Sequence, residues 1–250
     1  NLAKRIPGKE EFHETLRYFA VRLQELGVEV QLGRRIARGE LRGEYDEVIV
    51  ATGIQPRTPS IPGIGHAKVL SYLDVLRGAA VGAKVALIGA GGIGFDVASF
   101  LLTERVGPQP LGEWLGQWGI DLDNATAGGL IAPIAVAPHR QLWLLQRKAG
   151  QPGAGLGKTS GWVHRAHLRH HAVRMLGGVE YLRIDDDGLH ISVDGQEQCL
   201  AVDNVVICAG QEPLLELQPT LAAENLRYHV IGGASVAREL DAKRAIREGA

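Results

Sequence analysis

The sequence predicts an α/β fold in which one βαβ domain is inserted into another. Two stretches end a strand in the same way, residues 45–53 (YDEVIVATG) and residues 202–210 (VDNVVICAG). Between them lies one glycine-rich loop, residues 89–94 (GAGGIG), which follows an apolar run and precedes a helical pattern. A strand, a glycine loop and a helix in this order are typical of dinucleotide binding. The two repeats therefore mark where the chain leaves and re-enters the outer domain.

Composition excludes several other classes of protein. The chain has 250 residues, 45% of them hydrophobic, and a net charge of -1. It can bury a core, and it lacks the basic surface expected of a nucleic-acid-binding protein. No apolar run reaches the ~18 residues of a membrane span, and no signal peptide is recognisable. We therefore expect a cytoplasmic protein with neither nucleic acid nor membrane as a partner.

The elements before the loop follow from the hydrophobic period. Apolar residues recur every three or four positions within residues 7–27, which predicts an amphipathic helix. Alternation predicts a strand at residues 28–32, and an unbroken apolar run predicts a buried strand at residues 47–51. A proline-rich crossover at residues 55–65 and a short helix at residues 69–78 complete this part.

The central stretch is predicted to form a complete βαβ domain, with an insertion at residues 106–139 and a glycine-rich loop at residues 150–161. Its predicted helices span residues 92–104 and 162–175. Its predicted strands span residues 84–88, 141–146 and 205–208, with an antiparallel meander at 179–183, 189–193 and 196–201. The outer domain then resumes with a strand at residues 228–231 and a helix from Leu240.

The glycine loop has the spacing that dinucleotide binding requires. Gly89 permits a tight turn, Gly91 with Gly92 lets a pyrophosphate approach the backbone, and Gly94 lets the helix pack close to the sheet. The N-terminus of the helix supplies free N–H groups and a partial positive charge. An ordinary strand–helix turn is the alternative interpretation.

The end of the next strand indicates which nicotinamide binds. NAD sites usually carry Asp or Glu there, whereas a nearby Arg accommodates the 2′-phosphate of NADP. This strand ends in Gln146, Arg147 and Lys148, which favours NADPH over NADH. Two solvated surface charges are the alternative interpretation.

Other motifs do not predict chemistry. Residues 153–159 (GAGLGKT) lack the spacing of a P-loop. The helical histidines are interpreted as polar surface rather than metal ligands, and residues 185–188 (DDDG) as a hairpin turn rather than an acidic catalytic cluster. Cys199 and Cys208 form no redox motif and are too few for an iron–sulfur site. No catalytic side chain and no metal ligand are predicted, so cofactors would carry the reaction.

The chain resembles the C-terminal half of bacterial NADPH-dependent 2,4-dienoyl-CoA reductases, in the NADH:flavin oxidoreductase / trimethylamine dehydrogenase group. Matching segments run through nearly the whole chain: residues 6–12 (IPGKEEF), 68–76 (KVLSYLDVL), 91–96 (GGIGFD), 118–121 (WGID), 155–159 (GLGKT), 184–189 (IDDDGL) and 202–213.

The resemblance implies two interleaved Rossmann-like domains of the glutathione-reductase type. Residues 1–77 and 209–250 would form an FAD domain that is incomplete at its N-terminus, and residues 78–208 an NADPH domain. Hydride would pass from NADPH to FAD. Electrons would then pass through a four-iron–four-sulfur cluster to FMN in an N-terminal TIM-barrel half, which would reduce the dienoyl-CoA in unsaturated fatty acid oxidation. That half would be part of the same polypeptide.

The resemblance also implies the flavin contacts: Thr52, Gly53, Gly210, Gly232 and Gly233. The dienoyl-CoA reductases also carry Gly-Gly at the last two of these positions, but follow it with an Asp where this chain has Ser235, so the chain departs from the family pattern at Ser235. Two alternatives stay open. One is a related NAD(P)H:flavin oxidoreductase acting on another enone, and the other is a non-redox ADP-binding module, as in trimethylamine dehydrogenase-like proteins.

Overall fold

The computed structural model describes residues 2–37, 39–41, 43–103, 109–238 and 240–250. The chain divides into two compact units, each built from two separated stretches. Unit 1 comprises Asn1–Phe12 and Thr58–Ala209, and unit 2 comprises His13–Arg57 and Gly210–Ala250.

The described elements are named here in chain order. The strands are β1 (Val48–Val50), β2 (Ile54–Pro56), β3 (Val69–Ser71), β4 (Lys84–Ile88), β5 (Gln141–Leu145), β6 (Arg174–Leu176), β7 (Val179–Asp185), β8 (Gly188–Val193), β9 (Gln196–Leu200), β10 (Asn204–Ile207), β11 (Gln211–Pro213) and β12 (Tyr228–Val230). The α-helices are α1 (Phe12–Glu25), α2 (Tyr72–Arg77), α3 (Gly92–Leu102), α4 (Leu111–Trp118), α5 (Gly161–His170), α6 (Gln218–Ala223) and α7 (Ala242–Gly249).

Unit 1 is built on a five-stranded parallel sheet of order β3-β10-β4-β5-β6. The middle strands are apolar throughout because both faces of the sheet are covered. On one face Val85 and Leu87 pack with residues of α2, α3 and α5. On the other face Ala86 and Ile88 pack with the antiparallel meander β7-β8-β9. This arrangement confirms the predicted Rossmann-like α/β fold, with a parallel sheet at its centre.

Unit 2 contains two pairs of short strands. β1 pairs with β12 in parallel, and β2 pairs with β11 antiparallel. In the described part of this unit, the buried apolar side chains are Val50, Leu221 and Ala234. The predicted first helix forms as α1, but none of its residues is buried.

The structure corrects several predicted elements. Residues 28–32 form no strand, because an isolated alternating segment needs a neighbouring strand to be stable. The helix predicted at 69–78 begins only at Tyr72, since Val69–Ser71 pairs with β10. The helix predicted at 162–175 ends at His170, and its last residues instead form β6 beside β5.

Four further helices and strands lie where no regular structure was predicted. α4 forms inside the predicted insertion and α6 follows β11. β2 overlaps the start of the predicted proline-rich crossover and pairs with β11, which directly follows the second sequence repeat. In the part of the chain that the structure describes, no helix is both long enough and apolar enough to cross a membrane.

Candidate functional site

The glycine loop lies at the carboxyl end of β4, which is hydrogen-bonded to β10 on one side and β5 on the other. The loop leads directly into α3. The Gly89 N–H donates to the Leu145 carbonyl at 2.8 Å, which ties the loop to the end of β5. Ligands of open α/β sheets bind outside the carboxyl ends of the strands. The fold thus places the loop at the edge where a nucleotide is expected.

Two glycines of the loop are required by the packing of the protein itself. Gly89 has φ +114°, and a Cβ there would lie 2.5 Å from the Cys208 carbonyl oxygen. A Cβ at Gly94 would lie 1.9 Å from the Gly89 carbonyl oxygen, because the first turn of α3 packs on the loop. Any larger residue at either position would force the backbone to move.

The other two glycines face open space. No atom lies within 4 Å of a Cβ built on Gly91 or Gly92, and both residues are exposed. Gly91 is the N-cap of α3 and has no side chain with which to cap the helix. The first-turn N–H groups and the helix dipole are therefore directed at a space that suits an anionic pyrophosphate. The open space at Gly91 and Gly92 therefore fits the pyrophosphate of a nicotinamide dinucleotide.

Arg147 and Lys148 directly follow Gln146 at the end of β5, and both side chains are exposed. Their backbone is fixed, since the Lys148 carbonyl accepts hydrogen bonds from Gly178 N–H at 3.0 Å and from Gln146 Nε2 at 2.9 Å. β5 is the neighbour of β4, so the two cations share the sheet edge with the glycine loop. No acidic residue stands in this strand end.

Tyr181 lies near Arg147 and was not singled out from the sequence. Its hydroxyl is buried without a hydrogen-bond partner in the described residues. Burial raises the pKa of this phenol, and the Arg147 charge opposes the rise only partly. A single tyrosine in a strand carries no signal from which this environment could be inferred.

Thr52 and Gly53 lie between β1 and β2 in unit 2. Thr52 Oγ1 donates to the Leu214 carbonyl at 2.6 Å, and Leu214 N–H donates to the Gly53 carbonyl at 3.0 Å. Gly210 accepts a hydrogen bond from Arg57 N–H at 3.1 Å. The residues that end the two sequence repeats therefore flank the β2–β11 pair.

Gly232 and Gly233 follow β12 in the same unit. A Cβ at Gly233 would lie 2.7 Å from Ile54 Cγ2, so this glycine packs against β2 beside Gly53. The Gly232 N–H donates to Glu248 Oε2 at 2.6 Å, and the Gly232 carbonyl accepts from Arg244 at 2.9 Å. Gly233 thus allows close packing of protein atoms, and the backbone N–H of Gly232 is already used by Glu248.

Arg244 and Glu248 form an ion pair of 2.6 Å at this loop. The Arg244 and Gly232 hydrogen bonds lower the pKa of Glu248 from its ordinary value. An open cavity of about 340 Å³ is lined by both glycines, Leu240, Asp241, Ala242, Arg244 and Ala245. Of the five predicted flavin residues, Gly53 and Gly233 lie close together, since a Cβ at Gly233 would be 3.3 Å from the Gly53 carbonyl carbon.

The remaining sequence motifs occupy other places. Residues 150–160 precede α5 as a loop, and Asp185–Gly188 forms the β7–β8 turn. On α5, His167 is partly buried and its ring lies 4.5 Å from that of His171. Burial, aided by the neighbouring histidines, lowers the pKa of His167 to about 4.

Comparison with known proteins gives matches over almost the whole chain. A family model described as pyridine nucleotide-disulphide oxidoreductase matches residues 4–240. A metal reductase of Desulforamulus reducens is 25% identical over 245 residues, covering 96% of this chain and 36% of the relative. A cinnamate reductase of Clostridium sporogenes is 36% identical over 104 residues, covering 38% of this chain and 15% of the relative.

Among solved structures, a 2-naphthoyl-CoA reductase complex has the same fold. It superposes with a TM-score of 0.78 at 22% identity, and the match covers 99% of this chain and 33% of that one. The present chain thus spans about a third of the length of the metal reductase and of this solved reductase.

Proposed function

The chain belongs to the pyridine nucleotide-disulphide oxidoreductase family. We propose that it is the part of a larger flavin-dependent reductase that binds NADPH and passes its electrons to FAD. Membership supports redox chemistry with NAD(P)H and a flavin. The proposal specifies NADPH as the donor, FAD as the acceptor and a 2,4-dienoyl-CoA as the compound finally reduced. The reducing site for that compound would lie outside this chain.

One observation carries the proposal. Gly91 and Gly92 leave an open space at the N-terminus of α3, and the exposed cations Arg147 and Lys148 end the adjacent strand. The open space suits the pyrophosphate of a dinucleotide, and the cations suit a 2′-phosphate. NADPH supplies a hydride when it is bound. Unit 1 binds and orients the dinucleotide by these backbone and cationic groups.

The larger enzyme is proposed from the lengths and names of the relatives. This chain spans about a third of the metal reductase and of the 2-naphthoyl-CoA reductase. Their remaining length would accommodate a barrel with FMN and an iron–sulfur cluster. A cinnamate reductase and an aryl-CoA reductase both act on conjugated carbonyl compounds. This supports the dienoyl-CoA assignment and equally the alternative of a related reductase that acts on another enone.

Charge reversal at Arg147 tests the nicotinamide preference. We expect Arg147→Asp to weaken binding of NADP⁺ by at least about tenfold and to leave binding of NAD⁺ within about twofold, because the lost contact is a charged hydrogen bond to the 2′-phosphate. Isothermal titration with each dinucleotide measures both affinities.

Lys84→Glu is the matched control for that titration. Lys84 is the first residue of β4 and so lies at the amino end of the parallel strands, away from the carboxyl end that Arg147 follows. The Lys84→Glu substitution should change neither affinity. Equal losses for NADP⁺ and NAD⁺ in Arg147→Asp would remove Arg147 from 2′-phosphate recognition.

Stopped-flow reduction of bound FAD by NADPH in the full-length protein tests the redox role, and absence of reduction would favour the ADP-binding module instead.

A further inference from the structure

The turn between β7 and β8 gathers three potential metal ligands of two chemical types. One carboxylate oxygen of Asp185, one of Asp187 and one ring nitrogen of His190 all lie within 4.8 Å of one another. A thiol stands next to them, with Cys199 Sγ 3.7 Å from His190 Nε2. Two carboxylates and an imidazole therefore converge at one end of the meander, and a thiol lies beside the imidazole. The dinucleotide site uses none of them.

Strand register explains why these side chains meet. His190 of β8 lies directly opposite Cys199 of β9, and Asp185 lies opposite Gly188 across the turn. Side chains alternate between the faces of a strand. Ile184, Leu189, Ile191 and Leu200 accordingly fill the core face, which leaves the ligand set together on the outer face.

The turn is held close to β9 by its glycine. A Cβ on Gly188 would lie 2.1 Å from the Leu200 carbonyl oxygen, so only glycine allows this approach. Asp187 N–H donates to Asp185 Oδ1 at 3.1 Å, which folds the turn back over the cluster. This bond from the turn backbone helps to fix the position of the Asp185 carboxylate.

Arg183 orients the Asp185 carboxylate by binding one of its oxygens, while the other oxygen faces His190. Arg183 Nε donates to Asp185 Oδ2 at 2.9 Å, whereas Oδ1 lies 2.9 Å from His190 Nε2. An outer partner of this kind commonly fixes the orientation of a metal-binding carboxylate.

From this geometry we propose that Asp185, Asp187, His190 and Cys199 form a binding site for a divalent transition metal of the zinc type. Mixed carboxylate, imidazole and thiolate donors suit Zn²⁺ or Co²⁺, whereas Mg²⁺ and Ca²⁺ prefer oxygen ligands alone. Four protein ligands make a closed site of the structural type. The ion would join the β7–β8 turn to β9.

Binding is balanced by release of protons. The thiol of Cys199 loses its proton to solvent as the metal–sulfur bond forms. The Nε2 proton of His190, which is donated to Asp185 Oδ1 in the metal-free chain, also passes to solvent, and a solvent proton taken up at Nδ1 keeps the bound imidazole neutral. The hydrogen bond between His190 Nε2 and Asp185 Oδ1 is replaced by one metal bond to each atom. No electron is transferred.

Titration of the purified, metal-free chain with Co²⁺ and Zn²⁺ tests the site. We expect one ion per chain and, with Co²⁺, a thiolate-to-metal charge-transfer absorption. Cys199→Ser should abolish this absorption and weaken Zn²⁺ at least about tenfold. Asp187→Asn should also weaken Zn²⁺. Both residues are exposed, so neither change disturbs the core.

Asp194→Asn is the matched control, because it removes a carboxylate from the other turn of the same meander, between β8 and β9. It should bind both ions as the wild type does. Zn²⁺ should also protect Cys199 from alkylation, while Cys208 is buried and does not report. Absence of saturable binding in the wild type, or equal binding and an equal spectrum in Cys199→Ser, would overturn the proposal.

Discussion

At the scale of single residues, the glycines of the loop serve two different purposes: two of them allow close packing within the protein, and two leave space for a ligand. Gly89 and Gly94 are needed by the protein itself, because a Cβ at either would meet backbone oxygen at 2.5 Å or 1.9 Å. Gly91 and Gly92 meet nothing in the protein. Apart from the N-cap preference for glycine at Gly91, their lack of side chains matters to something that binds there. Stability and binding should therefore respond separately to substitution.

Two alanine substitutions test this division. Gly91→Ala should leave the free energy of unfolding within about 0.5 kcal/mol, as at a surface site, and should weaken NADP⁺ binding at least about tenfold. Gly94→Ala should lower the free energy of unfolding by about 1–3 kcal/mol through forced backbone shifts. Urea denaturation and isothermal titration measure the two effects. A Gly91→Ala variant that binds NADP⁺ normally would contradict the proposed position of the pyrophosphate.

His167 gives the protein a predictable acid sensitivity. Its pKa is lowered to about 4 in the folded chain by burial and by the charges of neighbouring histidines, against about 6.5 when unfolded. The unfolded state therefore takes up the proton first, and stability present above pH 6.5 is lost as pH falls to 4. The loss has an upper limit of about 3 kcal/mol.

Urea denaturation between pH 7 and pH 4 measures that loss. His167→Gln should flatten the decline over this window, because glutamine does not titrate. The control His13→Gln changes an exposed histidine of α1 and should keep the wild-type slope. Identical slopes in all three proteins would show that the acid sensitivity arises elsewhere.

At the scale of elements, the sequence predicts what local pattern and motif determine. The apolar runs of β4, β5 and β10, the β7-β8-β9 meander and the glycine loop lie where they were predicted. The hydrophobic pattern predicts the wrong element where pairing between strands determines the local structure. Val69–Ser71 belongs to a helical pattern but becomes a strand because β10 needs a neighbour. The juxtaposition of His190 and Cys199 follows from the register of the β8–β9 hairpin, which its two-residue turn sets, but no motif in the sequence marks these two residues as a pair.

The start of α2 illustrates an element that side chains define. Ser71 Oγ accepts a hydrogen bond from Asp74 N–H at 3.2 Å, and the Asp74 carboxylate accepts one from Ser71 N–H at 2.9 Å. These reciprocal bonds form a capping box. The Ser71 hydroxyl also donates to Asp74 Oδ2 at 2.6 Å, and this bond, together with the one from Ser71 N–H, lowers the pKa of Asp74. Ser71→Ala should therefore destabilise the chain by about 1 kcal/mol in urea denaturation.

Ser160 provides the matched control for the capping prediction. It occupies the N-cap of α5 but makes no side-chain capping bond. Ser160→Ala should change stability by less than about 0.5 kcal/mol. Equal effects of the two substitutions would mean that the capping box at Ser71 contributes nothing specific.

At the scale of the whole molecule, the two units differ in how much apolar surface they bury. Unit 1 covers both faces of its sheet. Unit 2, in its described part, buries Val50, Leu221 and Ala234, while Leu26 beside α1 is 66% exposed and Ile49 of β1 is 65% exposed. Buried apolar contacts set the free energy of local opening. Unit 2 should therefore open well before unit 1.

Hydrogen–deuterium exchange measures this difference. Amides of β1, β12 and α1 should exchange at least about tenfold faster than those of β4, β5 and β10, because the former lack a covering layer. Saturating NADP⁺ should then slow exchange in the residues that join β4 to α3, and leave β1 and β12 unchanged, since every residue of the proposed dinucleotide site lies in unit 1. Equal protection of both units would contradict the packing argument. Slowing confined to β1 and β12 would instead place the nicotinamide dinucleotide in unit 2, and would overturn the assignment of the glycine loop.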